Sequence, residues 1–286
     1  MPRPPEPEDL RARGRWPPPP GRRVAIVGSR RPSPYGEAVA ERLAADLAAT
    51  GAIVVSGLAL GVDAAAHEGA LAAGGCTIAV LGTGVDIVYP RANADLAARI
   101  LAAGGALVSQ FPDGTPPQRA NFPRRNWAIA ALSDVVVVVE AAEGSGALIT
   151  AEAALALDRE VMAVPGSVFS PLSVGCHQLL RDGAGLVQNA RDVLAALGAQ
   201  QEVLDDPLKP PASLGLEAPA GGRDGLLQHL SDALMTEPGT LARKLGLPLP
   251  EIMSRLTALE MAGAVGRRGA GYVRLAPGGI SRAGVG

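Results

Sequence analysis

The chain has 286 residues, 48% of them hydrophobic, and its two cysteines, Cys76 and Cys176, lie far apart. No apolar run approaches the roughly 18 residues of a membrane span, and the Pro- and Arg-rich start lacks the apolar stretch of a signal peptide. These features exclude a membrane protein and a disulfide-rich secreted domain, so we expect a cytoplasmic protein. The formal net charge of −2 argues against a protein that is basic overall, although its arginines cluster locally.

Residues 1–21 are rich in proline, which predicts a disordered tail. Residues 22–198 alternate short β-type runs with Ala- and Leu-rich helical stretches. The predicted strands are Val24–Val27, Ile53–Ser56, Thr77–Leu81, Leu107–Ser109, Val135–Val139 and Val161–Val164. The predicted helices are Glu37–Ala49, Val62–Ala73, Ala94–Ala103, Pro123–Leu132, Ala147–Leu157 and Ala190–Leu197. Several strands are apolar on both faces, which predicts a doubly wound, mostly parallel Rossmann-like α/β domain.

Residues 199–222 have the composition of a linker, and residues 223–275 predict a small second unit. Its segments are a helical run at Leu226–Met235, a turn at Pro238–Thr240, a short helix at Leu241–Leu245, a third helix from about Pro250 and two short strands within Val265–Val273. Helices followed by a hairpin around a glycine-rich turn predict a winged-helix domain. Residues 276–286 predict a flexible tail.

Four glycine-containing loops follow predicted strands at their carboxyl ends, the edge at which open α/β sheets bind ligands. Backbone amides at a helix start favour anions, and glycine lets the chain approach a phosphate closely. The loop residues that we assign to a nucleic-acid site are Gly28, Ser29, Ser33, Gly57, Gly61, Gly82, Gly84, Gly144, Ser145 and Gly146. Arg30 adds a guanidinium that can pair with a phosphate. Four such loops at one edge favour a binding site over unrelated tight turns.

The segment that precedes the fourth predicted helix combines cations with an aromatic ring. Its residues that we assign to the site are Arg119, Phe122, Arg124, Arg125 and Asn126. Arginine pairs with phosphates, and a phenylalanine face stacks on an unpaired base for roughly 1–3 kcal/mol. Asn126 either bonds a base edge or holds the loop, and Trp127 is predicted to pack in the core. In the alternative interpretation both aromatic rings pack against the sheet and the arginines are solvated.

Several catalytic motifs are absent: the sequence has no Walker loop, no HExxH and no GxSxG. His67 is more typical of a half-buried structural histidine than of a catalytic base. We therefore expect a protein that is not an enzyme, with no cofactor and no metal site. A nucleotide-processing enzyme stays the alternative, because the related cytokinin-activating phosphoribohydrolases hold a nucleotide in a similar crevice. Their Pro-Gly-Gly-x-Gly-Thr loop is absent here, where the strand end reads Glu140-Ala-Ala-Glu143-Gly-Ser-Gly.

Taken in chain order, the motifs resemble those of the DprA family, also called Smf. They are Ile26–Arg30, Ser56–Asp63 with His67, Leu81–Asn93, Phe122–Asn126, Ser145–Thr150 and Val164–Gly166. The resemblance covers about residues 22–198. It implies an extended Rossmann domain that binds and protects single-stranded DNA during natural transformation, loads the RecA recombinase onto it and forms a homodimer.

Matched position by position, the resemblance implies which residues line the DNA pocket. They are Arg30, Arg119 and Phe122, with Ser29 and Ser33 beside Arg30 and with Arg125 from the Arg-Asn pair. Trp127 departs from the family pattern, in which arginine is frequent at this position, so a DNA contact there is not expected. The second unit resembles the winged helix of many family members. For that unit, a protein contact and an auxiliary DNA contact through Arg267 and Arg268 both stay open.

Overall fold

A computed structural model describes residues 9–198, 226, 229–230, 236–261, 264–268 and 271–274. The chain divides into two units, residues 1–208 and residues 209–286. The strands of the first unit are β1 (Arg11–Gly14), β2 (Arg23–Val27), β3 (Ile53–Ser56), β4 (Thr77–Val80), β5 (Ala106–Ser109), β6 (Val135–Val138), β7 (Glu160–Ala163) and β8 (Gly185–Leu186). Its helices are α1 (Pro34–Ala49), α2 (Val62–Ala72), α3 (Ala94–Ala102), α4 (Asn121–Ala131), α5 (Gly146–Ala156), α6 (Val174–Arg181) and α7 (Ala190–Ala196).

The strands of this unit form one sheet in the order β1-β5-β4-β3-β2-β6-β7-β8. Every neighbouring pair is parallel except β1 with β5. The chain moves outward from β2 through β3 and β4 to β5, and then returns to place β6 on the other side of β2. The strand order therefore reverses between β2 and β6, and in open α/β sheets the crevice at such a reversal binds ligands. The predicted doubly wound, Rossmann-like sheet is confirmed.

Helices cover both faces of this sheet, because successive strand side chains point to opposite sides. On β2, Ala25 and Val27 join the apolar cluster formed with α4, α5 and α6. Val24 and Ile26 join the opposite cluster, which includes α1, α2 and α7. Because both faces are buried, the central strands are almost continuous apolar runs. The polar residues lie mainly in the loops that follow these strands.

The amino-terminal region corrects one expectation. Residues 11–14 are not part of a disordered tail: they form β1, which pairs antiparallel with β5 through Arg11 opposite Ser109. The preceding Leu10 is buried, and Trp16 packs against the apolar cluster under α4 and α5. These two apolar anchors and the backbone ladder stabilise a segment whose composition alone indicated disorder. Residues 1–8 lie outside the described residues, as do those of the predicted linker and carboxyl-terminal tail.

The second unit contains α8 (Pro238–Leu245), α9 (Leu249–Met261) and the antiparallel strands β9 (Val265–Arg268) and β10 (Gly271–Arg274). Pro238–Thr240, predicted as a turn, forms the first turn of α8, because proline is compatible with the first helical positions. The described core of this unit consists of Leu226, Leu230, Leu241, Ile252, Leu256, Val265 and Tyr272. Of the predicted helix Leu226–Met235, the structure describes only residues 226, 229 and 230. Within the described part of the chain, no helix has both the length and the apolar character needed to cross a membrane.

Candidate functional site

A cavity of about 410 Å³ lies where the strand order reverses, at the carboxyl ends of β2 and β6. Its predicted site residues are Gly28, Ser29, Arg30, Arg125, Asn126, Ser145 and Gly146. Asp63 and Thr150, which the sequence did not single out as site residues, also line it. The structure thus brings the first glycine loop, the arginine-rich helix and the last glycine loop to one cavity.

The start of α5 forms one wall of this cavity. Ser145 caps the helix and accepts a hydrogen bond at 3.4 Å from the amide of Ala147. Gly144 has a φ of +69°, the left-handed conformation that glycine adopts without strain. A Cβ added at Gly146 would meet no atom within 4 Å, so the space in front of this helix start is open. The positive end of the helix dipole favours a phosphate here.

Arg125 lies under the cavity rather than in solvent, and only 4% of its surface is exposed. Its Nη1 donates to the carbonyl of Val80 at 2.7 Å and to the carbonyl of Gly57, which joins α4 to the ends of β4 and β3. Burial, opposed in part by the charge of Asp63 and reinforced by that of Arg30, lowers the pKa of Arg125 to about 10. Its first role in this geometry is to hold two strand ends together.

Both ends of the Asn126 side-chain amide form hydrogen bonds within the protein. Its Oδ1 accepts from Nε of Arg125 at 3.1 Å, and its Nδ2 donates to the carbonyl of Gly146 at 2.9 Å. Of the two roles that the sequence left open for this residue, the contacts favour holding the loop over bonding a base edge. The Arg-Asn pair therefore links three strand-end loops from beneath.

The second glycine loop, Gly57–Gly61, is fixed by buried polar groups. The carboxylate of Asp63 accepts from the amides of Gly57 (3.2 Å) and Ala59 (3.3 Å), and burial raises its pKa, although Arg125 lowers it in part. Gly61 has a φ of +79°, and a Cβ there would lie 2.5 Å from the carbonyl oxygen of Ser29. Only glycine allows this loop to pack against the one that carries Arg30.

Phe122 stands at the mouth of the site with Arg30. The Arg30 guanidinium carbon lies 5.5 Å from the centroid of the Phe122 ring, which is within range of a cation–π contact. A Cβ at Gly82 would lie 2.9 Å from Phe122 Cδ1, so this glycine makes room for the ring. The ring of Tyr89 lies 5.7 Å from that of Phe122, centroid to centroid. A cation and two aromatic rings are thus grouped beside the cavity.

The other two predicted arginines are exposed and line no part of the cavity. Arg119 precedes α4 in solvent. Arg124 lies over the ring of Phe111, with its guanidinium carbon 5.3 Å from the ring centroid. Gly84 belongs to a turn in which the carboxylate of Asp86 accepts from the amide of Gly114 at 2.9 Å. These residues border the site on its β4–β5 side.

Ser33 is placed differently from the prediction. Its hydroxyl accepts from the amide of Gly36, capping α1, and donates to Glu140 at 2.5 Å. It lines a separate depression of about 480 Å³ with Tyr35 and Ser170, not the cavity beside Arg30. These contacts favour a role in shaping the first loop, and a direct DNA contact of Ser33 stays a prediction.

His67 is a buried structural histidine. Thr77 Oγ1 donates to the carbonyl of Val54 and lies 2.7 Å from His67 Nδ1, so Nδ1 carries the proton and donates to it. Burial lowers the pKa of His67 to about 3, and the charge of Arg125 adds to the shift. Among the described residues, no group of three or more His, Cys, Asp or Glu side chains is arranged to hold a metal ion.

Comparison with protein families accounts for both units. Residues 3–198 match the model of DNA recombination-mediator protein A, and residues 209–271 match the DprA winged helix domain. The chain belongs to the DNA recombination-mediator protein A family. The predicted winged helix is confirmed by the second match and by the described helices and hairpin.

Curated and structural relatives agree with this assignment. The chain is 43% identical over 253 residues to Protein Smf of Escherichia coli, covering 88% of this chain and 67% of that protein. It is 42% identical over 242 residues to a putative DNA processing protein DprA of Mycobacterium tuberculosis, covering 85% of this chain and 61% of that protein. The chain therefore spans 61–67% of the length of these relatives.

Two solved structures of family members match the fold. The crystal structure of DprA from Streptococcus pneumoniae matches with a TM-score of 0.58 and 45% identity, covering 61% of each chain. A structure of DprA from Helicobacter pylori matches with a TM-score of 0.56 and 34% identity, covering 62% of this chain and 80% of that one. The proposed function below rests on membership in this family and on the cavity at the strand-order reversal.

Proposed function

We propose that this chain binds single-stranded DNA at the carboxyl edge of the sheet, without strong sequence preference. The observation that carries the proposal is the pairing of Arg30 with Phe122, 5.5 Å apart, beside an open helix start. The Helicobacter pylori relative is described as having a single-stranded DNA binding mode, which supports the same role here.

In this proposal the phosphates lie at the first and last glycine loops. Gly28 to Arg30 and Ser145 to Gly146 line the same cavity, so one or two phosphates there meet amides and a guanidinium together. Arg119 and Arg124 extend the positive charge along the edge, where they steer a strand toward the cavity. Arg125 contributes its charge from below while it holds the strand ends.

A base stacks on Phe122 once the Arg30 guanidinium moves from the ring to a phosphate. Because the face of the ring is available only to an unpaired base, this contact favours single strands over duplex DNA. Stacking depends on the π face that every base has, so the site reads no sequence.

The experiment is a fluorescence-anisotropy titration of the full chain with a labelled oligo-dT strand and with a duplex of the same length. We expect binding to the single strand that weakens with salt, with a logarithmic slope near −0.7 per neutralised phosphate. Absence of binding to oligo-dT at low salt would overturn the proposal. Equal affinity for strand and duplex would remove base stacking from it.

We further propose that the bound strand is passed to the RecA recombinase during natural transformation, as the description of the family as a recombination mediator suggests. A pull-down with purified RecA, with and without oligo-dT, tests this step. RecA retained by the chain supports it, and no retention in either condition contradicts it. The winged helix is tested in the same assay by a variant that ends after residue 208.

A homodimer formed through the first unit belongs to the same proposal. Exposed apolar side chains on this unit, among them Leu155 and Leu186, offer surface that a second copy can cover. Light scattering after size-exclusion chromatography of the full chain measures its mass in solution. A mass of one chain at micromolar concentration would contradict the dimer.

The second candidate is a nucleotide-processing enzyme, which the cavity of about 410 Å³ favours because it has room for a small ligand. Against it, the Glu140 carboxylate accepts from the amide and hydroxyl of Ser33 and does not line that cavity. We therefore favour a binding protein without catalytic activity. Release of free base from AMP on incubation with the chain would support the interpretation as a nucleotide-processing enzyme.

A further inference from the structure

The phenylalanines and tyrosines of the first unit share one edge of the sheet. The chain has three phenylalanines and three tyrosines, and all of them except Tyr272 follow the carboxyl ends of strands. They are Tyr35 after β2, Tyr89 after β4, Phe111 and Phe122 after β5, and Phe169 after β7. Core packing does not explain most of this distribution, because Phe111 is buried but Tyr35, Tyr89 and Phe169 are exposed.

Tyr89 is the member of this group that contacts the proposed DNA site without an assigned role. Its side chain is 45% exposed, and its ring centroid lies 5.7 Å from that of Phe122 with an interplanar angle of 40°. Arg30 lies 5.5 Å from the same Phe122 ring. An exposed aromatic ring next to a cation and a second ring is the composition of a single-strand stacking surface.

The backbone on both sides of Tyr89 is held in place. Thr83 Oγ1 donates to the carbonyl of Ile87 at 2.6 Å, and the carboxylate of Asp86 accepts from the amide of Gly114. On the other side, Asn93 Nδ2 donates to the carbonyl of Leu58 at 2.9 Å. A ring presented from a fixed loop loses little conformational freedom on binding, which favours affinity.

We infer that Tyr89 is a second base-stacking residue and that Tyr89 and Phe122 bind two neighbouring bases of a single strand. This inference rests on the proposed function. A base between two rings needs about 6.8 Å, twice the 3.4 Å stacking rise, and the centroids are 5.7 Å apart. The rings therefore do not clamp one base between them. Each ring instead stacks its own base, and on Phe122 the base takes the place of the Arg30 guanidinium. Their 40° tilt holds the two bases out of the parallel stack of a duplex.

The test compares Tyr89→Ala and Tyr89→Phe with the full wild-type chain on two labelled strands, oligo-dT and an abasic strand of the same length. We expect Tyr89→Ala to weaken binding to oligo-dT about 5- to 150-fold, the equivalent of the roughly 1–3 kcal/mol of one stacked base. Binding to the abasic strand is expected to stay unchanged, since only phosphates hold it. Tyr89→Phe keeps the ring and is expected to bind as the wild type does.

The control is Val174→Ala, which shortens an exposed apolar side chain of α6 outside the cavity and is expected to change neither affinity. If Tyr89→Ala binds oligo-dT as tightly as the wild type, or loses affinity equally for both strands, the stacking role is wrong. If the wild type itself binds neither strand, the proposed function has failed. The first result rejects only the role of Tyr89, whereas the second rejects DNA binding by the chain, so the two failures can be told apart.

Discussion

Two arginines that are neighbours in the sequence belong to different parts of the molecule. Arg124 is exposed and lies over the ring of Phe111, whereas Arg125 is buried and donates to the carbonyls of Gly57 and Val80. Successive residues of a helix point about 100° apart, so one faces solvent and the other faces the sheet. A cluster of cations in the sequence is therefore part exposed surface and part internal scaffold.

The same division runs through the whole candidate site. Arg30 and Phe122 lie at the surface, where a strand can reach them. Arg125, Asn126 and Asp63 lie beneath and fix the loops from which the surface residues project. Changes in the surface group should alter DNA affinity alone, and changes in the buried group should alter stability first.

The largest effect is expected for Arg125→Ala. This change leaves two buried strand-end carbonyls without their donor and leaves the buried Asp63 without the nearby charge. Removing one partner of a buried charged group typically costs about 3–5 kcal/mol of unfolding free energy. Urea unfolding of the first unit measures it, with Arg124→Ala as the matched control, expected within about 0.5 kcal/mol of wild type. Equal stability of the two variants would show that Arg125 does not stabilise the fold more than Arg124 does.

A smaller effect is expected from a pair of glycines. Gly61→Ala places a Cβ 2.5 Å from the carbonyl oxygen of Ser29 at a φ of +79°, and such strain costs about 1–3 kcal/mol. Gly146→Ala meets open space at the first turn of α5 and is expected to be neutral or to stabilise by up to about 1 kcal/mol. Thermal unfolding of both variants makes the comparison. A stable Gly61→Ala would show that the two loops do not need this close approach.

The parallel strands could be predicted from the sequence because each is apolar on both faces. β2 to β7 appear within one residue of the predicted ends, and the glycine loops follow them as expected. β1 could not be found this way, since all four of its residues are exposed and it is held by backbone pairing with β5. Helix α4 begins at Asn121, two residues before the predicted start at Pro123.

The site could be predicted only as a set of loops. That Gly28, Arg30, Ser145 and Gly146 share a cavity follows from parallel strands that end at one edge. Which arginine of the Arg124–Arg125 pair faces the sheet depends on how α4 packs, and local pattern does not determine this. Tyr89 lies within the Leu81–Asn93 motif, but the sequence predicts no role for it, because its proximity to Phe122 arises from chain segments that are distant in sequence.

The buried group also predicts a pH dependence of stability. His67 has a pKa of about 3 in the folded chain and of 6.5 as an ordinary histidine. Below pH 6.5 the unfolded chain takes up a proton that the folded chain excludes until about pH 3, so stability falls as the pH drops through this window. Between pH 7 and pH 5 this amounts to about 2 kcal/mol, at 1.36 kcal/mol per pH unit. Urea unfolding at both pH values is expected to show a smaller loss for His67→Gln, and an equal loss would contradict it.

The smallest effect is expected at the surface, for Arg30→Ala. Loss of one charge-assisted phosphate contact is expected to weaken oligo-dT binding about tenfold and to reduce the magnitude of the logarithmic salt slope by about 0.7. The matched control is Arg181→Ala on α6, which removes an exposed arginine outside the cavity.

The same variant is expected to keep its stability. Because the side chain of Arg30 contacts the ring of Phe122 and is exposed, the free energy of unfolding should change by less than about 0.5 kcal/mol. Anisotropy and urea unfolding on the same preparation separate the two quantities. A variant that loses stability and keeps affinity would place Arg30 with Arg125 in the scaffold, and the phosphate contact would then have to come from Arg119 or Arg124.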